Sequence, residues 1–409
     1  MANKPIRSAH YLKGLISMNR IKRILYVFLS LAAVFLTACG SSAENPSLSS
    51  KYEYIFVHGL SGWGSYDETN HKLPYWGMLG GDLMKDLNRK GFASYAASVA
   101  PEGSARDRAC ELYAQLAGTV VDYGKAHSEK CGHARYGRDF SNDPLIPDWN
   151  SEKQIVLLGH SFGGATIRLF SELLANGSQE ERETTMEEDL SDLFKGGQGN
   201  KIHALVTLAA PTNGTTAYDM HDDENFDIEA VKVSRWDELM GKLFNSRKKA
   251  EPDGRSLEDY AAFDMHIDNA LALNEKIETL PGVYYFAVPC SATQPDRNGN
   301  HKPIRSIMEA MFRKSSIQMG SYAGTTKGGF VIDETWKEND GLVNTVSANA
   351  PFNAPSREYD KNTLEPGIWN VMPPYIGDHM SLQGGMMKRN NVRPFYTELL
   401  SMIENLPES

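Results

Sequence analysis

One serine of the sequence lies in a setting that could make it a nucleophile. Residues 154–164 read Gln-Ile-Val-Leu-Leu-Gly-His-Ser-Phe-Gly-Gly, so a short apolar run ends in the pattern Gly-x-Ser-x-Gly around Ser161. Residues 165–174 continue with apolar side chains at helical spacing. A buried strand, a glycine turn and a helix are the context of a nucleophile elbow, in which a strained turn exposes the serine hydroxyl. The alternative is a glycine turn that contains a serine by chance, and the flanking strand and helix favour the elbow.

A serine nucleophile needs a base to take its proton and a carboxylate to orient that base. On α/β-hydrolases the acid and then the histidine follow the serine along the chain. His379 follows a Pro/Gly loop near the C-terminus, where this fold places its histidine. The rival histidines are His203, His221, His266 and His301. His203 lies inside a predicted strand and His266 inside a predicted helix, so packing explains these two. Asp340 occupies a turn before an apolar segment, and the residues alone do not separate a catalytic acid from an ordinary turn aspartate.

A glycine-rich loop is the candidate for the second half of an oxyanion hole. Residues 58–64 read His-Gly-Leu-Ser-Gly-Trp-Gly and follow a predicted strand. Glycines let a backbone N–H point into a site, and in this fold class one oxyanion donor comes from such a loop. We therefore expect the N–H groups of Leu60 and Phe162 to form the hole. A plain strand-to-loop turn is the alternative.

Several further elements must position these residues. Apolar runs predict strands, and amphipathic patterns predict helices. The predicted strands cover residues 52–57, 92–99, 202–210 and 283–288, and the predicted helices cover residues 76–90 and 104–124. Strands that alternate with helices predict an α/β fold with a mainly parallel central sheet and helices on both faces. The acidic segment 180–192 is expected to be a solvated surface excursion.

The composition is that of a globular protein. The chain has 409 residues, of which 41% are hydrophobic and 23% are charged, enough for one large domain or two ordinary ones. The net charge of −10, with no basic patch among aromatic residues, gives no indication of nucleic-acid binding. Four cysteines are too few and too scattered for a disulfide framework.

The N-terminal segment has the pattern of a targeting signal. Residues 20–23 are Arg-Ile-Lys-Arg, and an apolar run too short to span a membrane follows them. The run closes on Leu-Thr-Ala-Cys39, which resembles a bacterial lipoprotein signal, in which Cys39 becomes the lipidated first residue. An ordinary signal peptide cut near Ala38 is the alternative.

This pattern predicts the domain organisation and the location. We expect residues 1–39 to be a lipoprotein signal peptide with Met18 as the true start, residues 40–50 a flexible tether and residues 51–409 the catalytic domain. The lipid anchor would place the chain at a bacterial cell envelope. Gly40 is not the aspartate that usually signals retention in the inner membrane, so the outer membrane or the cell surface is favoured.

Four segments of the chain resemble the staphylococcal and thermophilic-bacillus lipases. The longest runs from Asp107 to Arg138, and the others are residues 58–64, residues 338–347 and the pair Asp378-His379. The resemblance extends over nearly all of residues 52–400. It implies an α/β-hydrolase fold and serine-dependent hydrolysis of the carboxylic esters of lipids, of the triacylglycerol lipase type, through an acyl-enzyme intermediate. It also implies a Ser161–His379–Asp340 triad and an oxyanion hole from Leu60 and Phe162.

The same resemblance implies a structural zinc site in a helical insertion. The matching positions are Asp107, His127, His133 and Asp259. Two imidazole nitrogens and two carboxylate oxygens suit tetrahedral Zn²⁺ and leave no open position, so the metal would be structural. Cys131 lies between the histidines and is a competing ligand. Spacing alone would assign both histidines to the surface.

The chain departs from this family in three places. Phe162 stands where the family has a smaller or polar residue, and it is expected to narrow the acyl entrance. After His379 the chain has Ser381 and Gly-Gly-Met-Met at 384–387 instead of calcium-binding carboxylates, so we predict no family-type calcium site. Residues 211–236 are shorter than the family's lid region, which argues against a large interfacial lid.

Two alternative functions stay open. The first is a carboxylesterase for shorter or more soluble acyl esters, which the shortened lid region favours. The second is a non-catalytic lipid-binding lipoprotein of the envelope, which an intact set of Ser161, Asp340 and His379 argues against.

Overall fold

The central sheet has seven strands, all parallel to their neighbours. The computed structural model describes residues 50–245, 254–387 and 389–408. In chain order the sheet strands are β1 (Glu53–Val57), β2 (Ala93–Ala97), β3 (Ile155–His160), β4 (Ile202–Leu208), β5 (Tyr284–Val288), β6 (Ser356–Glu358) and β7 (Trp369–Val371). Their spatial order is β6-β7-β5-β4-β3-β1-β2. The strand that leads to Ser161, β3, therefore lies inside the sheet between β4 and β1.

Helices cover both faces of this sheet. The longer ones are α1 (Leu83–Arg89), α2 (Ala105–Ala117), α3 (Lys125–Cys131), α4 (Gly163–Asn176), α5 (Arg235–Asn245), α6 (Ile267–Asn274), α7 (Arg313–Met319) and α8 (Arg393–Glu404). Four-to-six-residue helices occur at Glu68–Lys72, Gln179–Thr184, Asp192–Lys195, Thr216–Asp219 and Ala261–Asp264. Two-stranded ladders join Val120–Asp122 to Tyr136–Asp139, Cys290–Ser291 to Tyr375–Ile376, Thr293–Pro295 to His301–Pro303, and Gly324–Thr325 to Val331–Ile332. No helix of the described ranges is both long and apolar enough to cross a bilayer.

The core lies in two layers because side chains of a strand point alternately to opposite faces. In β1, Ile55 and Val57 pack with α2 and α4 on one face, and Tyr54 and Phe56 pack with α1 and α8 on the other. All five residues of β1, and all six of β3, are buried. The prediction of a mainly parallel α/β sheet with helices on both faces is confirmed.

Two predicted helices are shorter than their sequence patterns suggest. The pattern over residues 104–124 yields a helix only to Ala117, because Gly118 takes a left-handed backbone with φ +64° and ends it. Val120, which falls inside the predicted helix, is instead in a strand and is 42% exposed. The helix predicted over residues 76–90 begins only at Leu83, after a glycine-rich turn, and Asp82 caps it by accepting the Lys85 N–H at 3.2 Å.

A substitution at Gly164 tests how closely α4 packs on the sheet. A Cβ added there would overlap the Ala210 Cβ and lie 3.3 Å from Thr207 Cγ2. Gly164→Ala should therefore lower the free energy of unfolding by about 1–3 kcal/mol, as overpacked cores do. Urea denaturation measures the change. Gly282→Ala is the control, because a Cβ at Gly282 meets no atom within 4 Å. An equal, small effect of both substitutions would contradict the tight contact.

Candidate active site

Ser161 lies on a strained turn between β3 and α4. Its φ of +54° is in the left-handed region, which residues other than glycine rarely occupy. The turn requires glycines at its flanks: a Cβ at Gly159 would collide with the backbone of Gly163, and a Cβ at Gly163 would collide with the Val57 carbonyl. The Ser161 N–H donates to the Leu208 carbonyl at 2.9 Å, which fixes the turn to β4. The strand, turn and helix expected around Gly-x-Ser-x-Gly are thus all present.

The structure brings Ser161, His379 and Asp340 together. His379 Nε2 lies 2.8 Å from Ser161 Oγ, and His379 Nδ1 lies 2.8 Å from Asp340 Oδ2. The second oxygen of Asp340 accepts the N–H groups of Leu342 at 3.0 Å and Val343 at 2.8 Å. Because a carboxylate only accepts, His379 Nδ1 carries the proton and Nε2 is left to accept from the serine hydroxyl. This is the geometry of a serine nucleophile, its base and an orienting acid.

Asp378 is adjacent to His379 in sequence but does not contact its ring. Asp378 Oδ2 accepts the Glu309 N–H at 2.8 Å, and Oδ1 accepts the Ser381 hydroxyl at 2.8 Å. Burial raises the pKa of this carboxyl. Asp378 therefore anchors the loop that carries His379.

The rival histidines have other partners. The ring of His203 stacks on Tyr52 with centroids 4.0 Å apart, so packing explains it as expected. His266 lies at the N-terminal end of α6 rather than inside it, with Nδ1 3.5 Å from Asp219 Oδ1. His301 Nδ1 lies 3.2 Å from the Thr293 hydroxyl.

Both expected oxyanion donors lie beside the nucleophile. A Cβ at Gly59 would be 2.7 Å from Ser161 Cβ, so the loop that carries Leu60 is packed against the serine. Within the described residues, neither the Leu60 N–H nor the Phe162 N–H donates a hydrogen bond. Two free backbone donors near a serine hydroxyl are what an oxyanion hole requires.

The expectation that Phe162 narrows the acyl entrance is wrong. Its side chain is completely buried and packs with Ala105, Ala165 and Met265. The Arg108 guanidinium carbon lies 5.0 Å from the centre of the Phe162 ring. The ring is therefore part of the packed support behind the turn, because it faces the protein interior.

A buried hydrogen-bond chain links the glycine loop to His379. The Gly59 N–H donates to the Tyr75 hydroxyl at 3.0 Å, which lies 2.7 Å from His160 Nδ1. His160 Nε2 lies 2.8 Å from the His379 carbonyl oxygen, which can only accept. Burial, aided by His379, lowers the pKa of His160 to about 3, so the ring is neutral and protonated on Nε2. Tyr75 must then donate to His160 Nδ1, and every donor in the chain has one acceptor.

Sequence reasoning missed Tyr75 and assigned no role to His160. Tyr75 precedes the nucleophile by 86 positions, since it stands at 75 and the serine at 161, and no spacing rule connects them. The only sequence signal is the position of His160 directly before Ser161. The contact is created by folding.

A second cluster of polar side chains could hold a metal ion. His127 Nε2 lies 3.0 Å from Asp107 Oδ1 and 3.3 Å from Asp259 Oδ1. His133 Nε2 lies 3.8 Å from Asp107 Oδ1 and 3.6 Å from Asp259 Oδ2. Burial lowers the pKa of His127, but the two carboxylates outweigh it and the net shift is upward. All four residues expected to form a metal site are thus together, although spacing alone would have left both histidines on the surface.

The tautomer of His133 suits metal binding. His133 Nδ1 lies 2.9 Å from the Ala134 carbonyl, so Nδ1 carries the proton and Nε2 has a free lone pair. His133 Nε2 is buried without a hydrogen-bond partner. Cys131 Sγ lies 3.7 Å from His127 Nδ1, the ring nitrogen that faces away from the carboxylates. Cys131 also belongs to the group of possible ligands His127, Cys131, His133 and Asp259, whose ligand atoms lie within 4.8 Å of one another.

The expectation that the acidic segment 180–192 is only a solvated excursion is wrong at Glu181. This side chain is fully buried and pairs with Arg106 at 2.9 Å. It also accepts the N–H groups of Ala126 and His127 at 3.0 Å each. Glu181 therefore fixes the start of α3, the helix that carries His127.

The segment after His379 is held by a carboxylate from elsewhere in the chain. Glu309 Oε1 accepts the N–H groups of Met386 at 2.8 Å and Met387 at 2.7 Å. The absence of a family-type calcium site stays a prediction. Residues 211–236 contain the short helix Thr216–Asp219 and a turn of 3₁₀ helix at Ile228–Ala230, and the size of a lid stays a prediction too.

Comparison with known proteins places this geometry in a family. The family model described as "Lipase-like, C-terminal domain" matches residues 50–248. The lipase of Staphylococcus hyicus is 32% identical over 367 residues, which cover 83% of this chain and 54% of the relative. The chain spans about half the length of the curated relatives it matches.

Solved structures match over a larger share of their own length. EstA from Clostridium botulinum has a TM-score of 0.75 at 31% identity, and the match covers 91% of this chain and 93% of that one. Lipase 1 from Pelosinus fermentans has a TM-score of 0.70 at 30% identity, with 88% and 100% covered. The α/β-hydrolase fold and the resemblance to staphylococcal lipases are confirmed. The chain belongs to the family of bacterial α/β-hydrolase lipases and esterases that includes the Staphylococcus hyicus lipase.

Proposed function

We propose that this protein hydrolyses carboxylic esters of lipids, with Ser161 as the nucleophile. The observation that carries the proposal is the aligned set of Ser161 Oγ, His379 Nε2, His379 Nδ1 and Asp340 Oδ2, with 2.8 Å at each of its two contacts. Lipids are proposed as the substrate class because the relative from Staphylococcus hyicus is named a lipase.

The proposed reaction follows from this geometry. Ser161 Oγ attacks the ester carbonyl while His379 Nε2 takes its proton, and Asp340 holds the imidazole in the correct tautomer. The Leu60 and Phe162 N–H groups stabilise the tetrahedral oxyanion, where one such donor contributes about 3–4 kcal/mol. His379 then returns the proton to the leaving alcohol, and an acyl-enzyme remains. Water, deprotonated by His379, attacks the acyl carbon and releases the carboxylic acid.

The buried chain Gly59–Tyr75–His160–His379 supports this proposal. It ties the loop of the oxyanion hole to the backbone of the catalytic base through groups that are all hydrogen-bonded. Such a satisfied network restricts the relative motion of the two loops. Reaction rates depend steeply on that geometry.

We also propose that the metal cluster binds one structural zinc ion. A tetrahedral zinc with bonds of about 2.0 Å separates its ligand atoms by roughly 3.3 Å. The distances of 3.0–3.8 Å between His Nε2 and carboxylate oxygens of Asp107, His127, His133 and Asp259 fit that requirement. The orphaned His133 Nε2 gains a partner when the metal binds. Zinc would supply cross-linking rather than chemistry, because four protein ligands leave no open position.

We also propose that a lipid anchor attaches the protein to the cell envelope. The basic residues 20–23, the apolar run after them and the sequence Leu-Thr-Ala-Cys39 support this proposal. Cys39 and the signal peptide lie outside the described residues, as does the tether up to residue 49.

The triad predicts which substitutions abolish hydrolysis. Ser161→Ala, His379→Ala and Asp340→Asn should each lower kcat at least about 10³-fold, and double variants should lose little more, because the three groups act as a unit. A pH-stat assay over esters of increasing acyl length measures this and the chain-length preference. Ser171→Ala, at another buried serine, which donates to the Arg168 carbonyl, is the control and should keep its activity.

Three outcomes would redirect the functional proposal. Full activity in a folded Asp340→Asn protein would assign the acid to another residue. A folded wild type that hydrolyses no ester and does not react with a phosphonate probe would favour the non-catalytic lipid-binding protein. A preference for short soluble esters would select the carboxylesterase alternative.

The zinc proposal predicts a stability effect before an activity effect. Purified metal-replete protein should contain about one zinc per chain, and a chelator should lower Tm because the metal binds the native state preferentially. His133→Ala should lose the zinc and respond to the chelator no longer. Calcium addition should leave Tm unchanged. Elemental analysis and calorimetry decide this, and a zinc-free protein with a chelator-insensitive Tm contradicts the proposal.

Lipid anchoring predicts the behaviour of a cysteine variant. Cys39→Ser should remove the lipid attachment site and release the protein from the membrane fraction, which immunoblotting of fractionated cells measures. Cys110→Ser, at a buried cysteine of α2, is the control and should stay membrane-bound. Continued membrane association of the Cys39→Ser chain would show that another part of the protein attaches it.

A further inference from the structure

The guanidinium of Arg108 is buried without a counter-charge. The side chain has 0% exposure, and it donates through Nη2 to the His58 carbonyl. Its Nε and Nη1 have no hydrogen-bond partner. In the described part of the chain no carboxylate lies within ion-pair distance of it. A buried cation in this state is costly, so its presence needs a physical explanation.

Within the described residues no acidic group forms an ion pair with Arg108, although Glu111, Glu102 and Asp264 act on its charge through space. Glu111 lies one turn further along α2, and its oxygens accept the Ala100 N–H at 2.5 Å and the Tyr123 hydroxyl at 2.9 Å. Burial raises the pKa of Glu111 to about 7, so its negative charge is incomplete near neutral pH. Burial also lowers the pKa of Arg108, to about 10, which still leaves it protonated. The positive charge is thus present and unpaired.

Arg108 contacts both chain segments that carry an oxyanion donor. The His58 carbonyl, which accepts its hydrogen bond, lies two residues before Leu60. The Phe162 ring, which belongs to the other donor residue, lies 5.0 Å from its guanidinium carbon in a cation–π contact. The glycine loop and the turn at Ser161 come from different strands, and Arg108 bridges them.

The position of Arg108 on α2 also relates the two polar clusters. Consecutive helix residues point about 100° apart. Asp107 accordingly reaches the metal cluster, with its Oδ1 3.0 Å from His127 Nε2, while Arg108 reaches the oxyanion loop. One turn of α2 therefore contributes one side chain to the metal cluster and the next to the oxyanion loop.

We propose that Arg108 is a positioning residue that holds the two halves of the oxyanion hole together, and that its unpaired charge favours the anionic transition state over the neutral ester. The inference rests on the proposed function, because it assigns an oxyanion to this site. A cation in a low-dielectric interior attracts a developing negative charge more strongly than it attracts a neutral substrate. The effect therefore falls on kcat rather than on KM.

Charge-retaining and charge-removing variants of the full chain test this role. Arg108→Met should lower kcat for a water-soluble ester roughly 10²-fold, as loss of one oxyanion donor does, with KM within about two-fold of wild type. Arg108→Lys keeps the charge and should recover part of that loss. The affinity for a boronic acid, which forms a tetrahedral anion on the serine, should fall in Arg108→Met by about the same factor as kcat.

Arg168 supplies the matched control. It is another fully buried arginine, 2% exposed, with an unpartnered Nε and its guanidinium carbon 5.9 Å from the Trp369 ring on β7. Arg168→Met should lower Tm and leave kcat, KM and boronate affinity unchanged. Should Arg108→Met not fold, Arg108→Lys and Phe162→Leu, which keeps the backbone N–H, provide the same kcat and boronate readouts.

Two outcomes overturn the proposal. Arg108→Met and Arg168→Met could lower Tm alike without a change in kcat, or Arg108→Met could raise KM alone. The first result would make Arg108 a purely structural residue, and the second would limit its role to ground-state binding of the substrate. Ser161→Ala, measured beside them, separates this failure from that of the proposed function: an inactive Ser161→Ala with a fully active Arg108→Met overturns only the role of Arg108.

Discussion

The left-handed backbone of Ser161 is the constraint on which the rest of the site depends. A φ of +54° at a serine is unfavourable, so surrounding contacts must hold the turn. They do so through the hydrogen bond to Leu208 on β4, through glycines that let strand and helix approach each other, and through the packing of α4 on the sheet. In return the turn places the hydroxyl at 2.8 Å from His379 Nε2 and leaves the Phe162 N–H without a partner.

Buried polar groups surround this turn, and most of them are paired. Tyr75 and His160 form a chain in which each donor has one acceptor, and it ends on the backbone of His379. Asp340 uses both oxygens, one for His379 and one for two backbone N–H groups. Arg108 differs because two of its three nitrogens have no partner. This unsatisfied cation contacts the two chain segments that carry the oxyanion donors, which supports the proposal that its charge is matched only when a substrate reacts.

Helix α2 connects the catalytic region to the metal cluster. Asp107 and Arg108 follow each other on its first turns, and Glu181 fixes the start of α3, which carries His127. Asp259 comes from much later in the chain, so a metal held by these residues would tie a local pair of helices to a distant segment. The stabilisation would be that of any ligand that binds only the native state. It would reach the oxyanion hole through the rigidity of α2 rather than through chemistry at the metal.

The sequence determined the local parts of this protein. The apolar run before Gly-x-Ser-x-Gly and the helical pattern after it are consecutive in the chain, so their periodicity was enough to predict β3, the turn and α4. The sequence pattern did not determine where helices end. The pattern over residues 104–124 continues past Gly118, where a left-handed backbone stops the helix. The resemblance to known lipases added the expectation that Asp340 is the catalytic acid and that four residues form a metal site. Spacing alone left both open.

Only the tertiary structure decided which distant side chains meet. Asp340 rather than Asp378 faces the imidazole, although Asp378 is the sequence neighbour, because its loop turns the carboxylate toward Glu309 and Ser381. Phe162 points into the interior, Glu181 is buried in an acidic surface segment, and Tyr75 and Arg108 reach the active site from elements with no catalytic pattern. Sequence periodicity reports the environment of a residue within its own strand or helix. Contacts between residues far apart in the chain depend on how those elements pack, and no pattern within a single element records that.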